Sequence, residues 1–234
     1  MTLNRYPSYE KKFILLFLIV STGELISKTV SVHWLEMICK PAIMISLGLF
    51  YWAAQREKKE PVVLTVILAI FFSCLGDVLL MFQRANANFF TLGLGSFLLA
   101  QVNYILAYKQ HQGERSADEL QGLQRIRFSL PIILSGTGLV VILYKHLGDL
   151  KIPVLLYAGV LTYMVLTALF RFGRTNTSSF AMVFAGAILF MISDSLIAVD
   201  KFLEPLSMAG FWIMTTYIIG QFLIVKGLVR SSSF

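Results

Sequence analysis

The feature that most constrains this chain is a series of apolar segments, each about 20 residues long. We count eight, at about 13–31, 36–54, 62–82, 89–108, 126–145, 152–170, 179–199 and 208–228. A helix of this length crosses the roughly 30 Å hydrocarbon core of a bilayer. Only 14% of the residues are charged and 57% are hydrophobic. The sequence therefore predicts an all-α polytopic membrane protein, a bundle of eight transmembrane helices that forms a single domain over 1–234.

The basic residues are divided unequally between the two sides of this bundle. Of the 20 Lys and Arg residues, 14 lie on the side of the two termini and 6 on the other. Because Lys and Arg accumulate in cytoplasmic loops, both termini are expected in the cytoplasm, at the cell (inner) membrane if the protein is bacterial. The net charge is +7, and we expect the basic residues of the loops to contact anionic membrane lipids. No nucleic-acid partner is expected.

The ends of the segments carry further signals. The opening stretch MTLNRYPSYEKK is polar and has no small-residue cleavage site, which favours a retained first helix over a signal peptide. Pro41, Pro131 and Pro153 are expected in opening turns, where a missing N–H costs least. Cys39 and Cys74 lie far apart inside apolar segments and indicate neither a disulfide framework nor a metal site.

Two acidic residues lie deep within apolar segments. Asp77 is in the third, within FFSCLGDVLLMF, and Asp194 is in the seventh, within FMISDSLI. Both segments should run outward from the cytoplasm, and each acid lies roughly 22 Å from the inner boundary. An intramembrane carboxylate costs about 2.5–3.5 kcal/mol on insertion scales. Two acids at one depth therefore indicate a functional site, with a structural ion pair as the alternative.

The two acids also suggest an internal repeat. They are 117 residues apart, half the length of the chain, and the segment after each holds a glutamine, Gln101 or Gln221. This pattern is typical of a parallel repeat of four plus four spans, as found in some transporters.

Other polar side chains lie near the acids along the helices. Helical spacing places Tyr104 on the same face as Gln101, and Tyr217 on the same face as Gln221. The remaining candidates are Ser73, Ser193, Ser195 and Lys40, the last as a counter-charge. Each has a structural alternative, because intramembrane Gln and Tyr often join helices, Ser often bonds to the backbone, and Lys often extends to the interface.

Several kinds of chemistry are not supported. His33, His111 and His146 fall in loops or at helix ends, which argues against a buried three-histidine zinc site and against an intramembrane Ser–His protease. Gly-rich phosphate loops and dinucleotide fingerprints are lacking. We therefore expect no metal and no cofactor. Carboxylates among Tyr, Gln and Ser suit acid–base chemistry on an ether or acetal-like group, or proton-coupled transport.

The ordered set of segments resembles one known family. The segments that carry the resemblance are LGDVLL after the third span, Ala100-Gln101 with Tyr104, ISDSLIAVDKF, TYIIGQFLIVKGL and Cys39-Lys40-Pro41. The resemblance is to the YhhN-like lysoplasmalogenases, which are eight-span membrane alkenyl ether hydrolases. The resemblance covers nearly the whole chain. It departs at Gln101, where many relatives carry His, so no acid–base role is transferred to that position.

The resemblance implies hydrolysis of the vinyl ether bond of a lysoplasmalogen, a lysophospholipid, to a fatty aldehyde and glycerophospho-ethanolamine or -choline. Such ethers are protonated at the β-carbon, and water attacks the resulting oxocarbenium ion. Asp77 and Asp194 would be the catalytic pair, one as general acid and the other as the stabiliser of the cation. The substrate-binding candidates are Lys40, Ser73, Gln101, Tyr104, Ser193, Ser195, Tyr217 and Gln221. A proton-coupled transporter of lipids or small molecules, or an inert scaffold, remains the alternative.

Overall fold

The computed structural model describes residues 8–30, 32–113 and 119–231. Within them, eight α-helices and no strands are present. The helices are α1 (Ser8–Val30), α2 (His33–Lys58), α3 (Leu64–Met81), α4 (Asn88–Gln110), α5 (Gly122–Leu143), α6 (Lys151–Leu169), α7 (Thr177–Phe202) and α8 (Ala209–Arg230). Each contains a stretch long and apolar enough to cross a membrane. The predicted all-α bundle of eight spans is therefore confirmed. Arg5 and Arg115, which enter the count of basic residues, lie outside the described residues.

Several helices begin earlier than their apolar segments suggest. α2 and α5 extend into polar residues at their N-terminal ends, so Pro41 and Pro131 lie well inside the helices. The prediction of opening-turn positions is wrong for these two prolines and right for Pro153, the third residue of α6. The physical reason is that a helix can continue past the boundary of the hydrocarbon core. The apolar segments mark only the part of each helix that lies within that core.

The helices pack in an order that repeats between the two halves of the chain. α1 packs on α2 and α3 on α4, as α5 packs on α6 and α7 on α8. The halves interlock because α4 contacts α6 while α8 contacts α2. This is the pairing that a parallel repeat of four plus four helices produces. We call the end of the bundle that holds both termini the terminal end, and the opposite end the distal end.

The closest helix contact is between α7 and α8. A Cβ atom on Gly186 would lie 2.7 Å from the carbonyl oxygen of Gly220 and 2.8 Å from the backbone nitrogen of Ile224. A Cβ atom on Gly227 would lie 2.7 Å from a methyl carbon of Val183. Small residues allow backbones to approach in this way within membranes. The contact sets the rotation of α7, and with it the direction in which Asp194 points.

A buried arginine joins three helices at the terminal end. Arg171 follows α6, and its Nη2 donates to the carbonyl oxygen of His111 and to Oγ of Ser179, both at 2.9 Å. Ser179 in turn donates to the carbonyl oxygen of Gly227 at 2.7 Å. Burial lowers the pKa of Arg171 to about 10, so the guanidinium remains charged at neutral pH. It ties the end of α4 to the start of α7 and the end of α8.

The glycine contact predicts a difference between two identical substitutions. Gly186→Val should lower the free energy of unfolding of the protein in detergent by about 1–3 kcal/mol, because the new side chain overlaps the α8 backbone. Gly159→Val on α6 is the matched control, since no atom lies within 4 Å of a Cβ placed there. Equal losses in melting temperature for the two variants would contradict the close approach of α7 and α8.

Candidate active site

Asp77 is held by an ammonium group and a phenol. It lies on α3, with only 3% of its surface exposed. Its Oδ2 accepts a hydrogen bond from Oη of Tyr217 on α8 at 2.7 Å. Its Oδ1 lies 3.9 Å from Nζ of Lys40 on α2. A buried carboxylate with a cation nearby and a hydrogen-bond donor is stabilised in its ionised form.

Asp194 has a different environment. It lies on α7 and is only partly buried. Its Oδ2 accepts a hydrogen bond from Oη of Tyr157 at 2.6 Å and a longer one from Nε2 of Gln101 at 3.4 Å. Among the described residues, Asp194 has no ion pair. The two acids are near enough to interact electrostatically, so they form one site with two unlike members.

A layer of polar side chains closes the site on its terminal side. Tyr104 on α4 donates to Oε1 of Gln221 on α8. The Gln221 amide donates to Oγ of Ser73 at 3.1 Å. All three side chains are buried, and Ser73 is one helical turn before Asp77. The layer satisfies its own polar groups and separates the acids from the rest of the bundle.

Two of the predicted site residues do not meet the acids. Ser193 donates to the carbonyl oxygen of Ile213 at 3.0 Å, and Ser195 donates to that of Met191 at 2.7 Å. Both hydroxyls therefore bond to backbone, as intramembrane serines often do. The structure does bring together the other candidates, which are Lys40, Ser73, Gln101, Tyr104, Tyr217 and Gln221.

Sequence reasoning missed Tyr157, and an available signal would have found it. Asp77 and Asp194 are 117 residues apart. The same offset relates three further pairs around the site, which are Lys40 with Tyr157, Tyr104 with Gln221, and Leu80 with Ile197. Lys40 on α2 reaches Asp77 on α3, and its equivalent Tyr157 on α6 reaches Asp194 on α7. The repeat thus places an ammonium beside one acid and a phenol beside the other.

A charged cavity opens at the distal end. Its volume is about 470 Å³. Its charged lining residues are Lys28, Glu36, Lys40, Arg84, Asp200 and Lys201. Lys28 pairs with Glu36, and Lys40 lies between this cavity and Asp77. Positively and negatively charged groups around an open cavity suit a ligand that itself carries a positive and a negative charge.

A narrow apolar cavity of about 50 Å³ lies beside the charged one. Its apolar lining comprises Phe90, Leu94, Phe97, Val154, Ala198 and Phe202. Asp194 and Tyr157 are its polar lining residues, and Leu80 and Ile197 line both cavities. An amphiphilic molecule whose charged end occupies one cavity and whose chain occupies the other would therefore place the junction between its two parts near the acids.

The donor set favours proton chemistry. Phenol, amide and ammonium groups contact the two carboxyl groups, and this set can move a proton or stabilise a developing charge. Across the described parts of the chain, no three His, Cys, Asp or Glu side chains come together in an arrangement that would hold a metal ion.

Comparison with known proteins identifies a family and named relatives. The chain matches the YhhN family over residues 35–228. It is 28% identical over 198 residues to "Lysoplasmalogenase TMEM86B" of Homo sapiens, covering 85% of this chain and 77% of that protein. It is 33% identical over 199 residues to "Lysoplasmalogenase" of Mycobacterium tuberculosis, covering 80% and 69%. For "Lysoplasmalogenase TMEM86A" of Bos taurus the identity is 26% over 206 residues, covering 86% and 81%. No solved structure matches the chain significantly.

Proposed function

This chain belongs to the YhhN family, and on that premise we propose that it is a lysoplasmalogenase, an ether hydrolase that cleaves the vinyl ether bond of lysoplasmalogens. The named relatives carry this activity in their names and align with most of the chain. The products would be a fatty aldehyde and a glycerophospho-ethanolamine or -choline. The observation that carries the proposal is the position of Asp194 in the lining of the apolar cavity, three residues before Ile197, which lines the charged cavity as well.

The cavities suit the shape of such a substrate. A lysoplasmalogen has a charged head group, a glycerol, a vinyl ether and one apolar chain, in that order. With the phosphate and the ammonium in the charged cavity and the first carbons of the chain in the narrow apolar one, the vinyl ether would lie near Leu80 and Ile197, which line both. Lys40 faces the charged cavity and would contact the phosphate. The other lysines of the cavity are closer to solvent.

The unlike environments of the acids support an assignment of roles. Asp194 is the general acid, because it lines the apolar cavity, is partly exposed and has no described ion pair. Asp77 is the ionised partner, because Lys40 and Tyr217 stabilise its carboxylate. Two nearby carboxylates in a medium of low dielectric constant divide these roles in many enzymes.

The reaction then follows in balanced steps. The carboxyl proton of Asp194 moves to the β-carbon of the vinyl ether, and the α-carbon becomes an oxocarbenium centre next to the ether oxygen. The negative charge of Asp77 stabilises this cation and orients the attacking water. Water adds to the α-carbon, and its proton returns to the Asp194 carboxylate. The hemiacetal collapses to the aldehyde and the free glycerol hydroxyl, so one water is consumed and no net proton.

The remaining site residues would position these groups. Tyr157 and Gln101 hold the Asp194 carboxyl group through hydrogen bonds. Tyr217 holds Asp77. The layer of Ser73, Tyr104 and Gln221 supports both from the terminal side. We assign no substrate contact to Ser193 or Ser195, since both bond to backbone carbonyl groups.

Replacing either acid by its amide tests the catalytic pair. Asp77→Asn and Asp194→Asn should each lower aldehyde release from a lysoplasmalogen by about 100-fold or more, because a general acid and its charged partner typically supply that much. Asp149→Asn, at an exposed position of the short 3₁₀ helix before α6, should leave the rate unchanged. Rates within about twofold of wild type for both site variants would refute the aspartate mechanism.

A proton-coupled transporter is the competing function, and the repeat of four plus four helices favours it. A panel of vinyl ether, alkyl ether and ester lysolipids, offered to purified protein in detergent micelles, separates the two. A hydrolase releases aldehyde from the vinyl ether lipid alone, since only that linkage forms an oxocarbenium ion on protonation at carbon. No release in micelles, combined with movement of lipid across sealed vesicles, would establish transport.

The protein is a multi-pass integral membrane protein, and we propose that its termini are cytoplasmic. Cys39 and Cys74 are first replaced by alanine. A cysteine at Arg84, at the distal end, should then react with a membrane-impermeant maleimide on intact cells, whereas one at Lys59 should react only after lysis. The opposite pattern of labelling would reverse the orientation and place the charged cavity in the cytoplasm.

A further inference from the structure

A third buried acid lies close to the catalytic pair. Glu24 on α1 has 0% of its surface exposed. Its Oε1 lies 3.5 Å from Nζ of Lys28, and it is also within electrostatic range of Lys40 and Asp77, although none of the described ion pairs joins it to Lys40. α1 and α2 meet closely at the adjoining positions, since a Cβ atom on Gly23 would lie 2.7 Å from Sγ of Cys39. Lys40 therefore has one carboxylate on the α1 side and another on the α3 side.

Glu24 has no equivalent in the second half of the chain. The residue 117 positions later is Val141, which is 73% exposed on the outer face of α5. The equivalent of Lys40 is the neutral Tyr157. The half of the protein that carries the buried ammonium is thus the half that carries the extra carboxylate. This coincidence indicates that the two charges are matched to each other.

The other charged groups near Glu24 balance among themselves. Lys28 lies one turn after Glu24, with its Nζ 3.5 Å from Oε1 of Glu24. Lys28 also pairs with Glu36. His33 lies 3.7 Å from Glu36. With Lys28 and Glu36 cancelling, Glu24, Lys40 and Asp77 form a trio with two negative charges and one positive charge. We call these three residues the charge trio.

We propose that Glu24 is a positioning residue that acts through Lys40, and that its charge leaves the trio one negative charge in excess at the vinyl ether. The inference rests on the proposed function. Without Glu24, the Lys40 ammonium would neutralise Asp77, and the oxocarbenium ion would face a neutral pair. With Glu24, the ammonium is shared between two carboxylates, so Asp77 keeps a net negative field while Lys40 still binds phosphate.

Charge-balanced substitutions test this assignment. Glu24→Gln makes the trio neutral and should lower kcat about tenfold while KM changes by less than about twofold. Lys40→Met should raise KM, because the ammonium that contacts phosphate is lost. The double variant leaves Asp77 as the single charge, which restores the net charge of the wild type. Its kcat should therefore recover to within about threefold of wild type while KM stays high.

A purely structural role for Glu24 predicts a different result. In that case the losses in kcat would add in the double variant, and such additivity overturns the proposal, as does an unchanged kcat in Glu24→Gln. Ser21→Ala, a buried residue on the same face of α1, is the packing control and should match wild type. If Glu24→Gln is too unstable to assay, Glu24→Asp must keep kcat within about threefold of wild type, and a larger loss overturns the proposal.

The same experiment separates this inference from the proposed function. Aldehyde release by the wild type supports the hydrolase whatever the variants do. An active wild type with an unaffected Glu24→Gln variant removes only the role of Glu24. An inactive wild type removes the hydrolase and, with it, the inference.

Discussion

Hydrocarbon cannot solvate a carboxylate, so Asp77 and Asp194 need polar partners within the protein. The arrangement of this bundle depends on how those partners are supplied. Each acid takes its hydrogen bond from a tyrosine on another helix, Tyr217 for one and Tyr157 for the other. Tyr217 lies on α8 and reaches Asp77 on α3, whereas Tyr157 lies on α6 and reaches Asp194 on α7. The helix contacts and the polar contacts therefore support each other.

The two halves of the chain use one framework for two kinds of surroundings. Equivalent positions on the preceding helix hold Lys40 in the first half and Tyr157 in the second. Lys40 places a positive charge beside Asp77, whereas Tyr157 and Asp194 both line the apolar cavity. Leu80 and Ile197, which are also equivalent, mark the boundary of both cavities. Two halves with the same order of helix contacts thus contribute to a single site with a polar and an apolar side.

Such a division suits a reaction at the junction of an amphiphile. The head group needs counter-charges, the chain needs an apolar cavity, and the bond between them needs a proton donor with little competing water. A symmetric site would give both acids the same neighbours and would leave neither distinct enough to act as acid or as charged partner. In the proposed mechanism, Lys40 supplies that distinction, because its equivalent in the second half is the neutral Tyr157.

Composition and the eight apolar segments determined the fold class, because a chain without water around it must form helices to satisfy its backbone. The cost of a buried charge singled out Asp77 and Asp194, and helical spacing indicated most of their companions. Only the tertiary structure decided that Ser193 and Ser195 bond to backbone and that Glu24 is fully buried, whereas the offset of 117 residues could have indicated Tyr157. Those outcomes depend on how α1, α6 and α7 are rotated against their neighbours. That rotation is set by close contacts between residues far apart in the chain, and no local pattern of polarity records it.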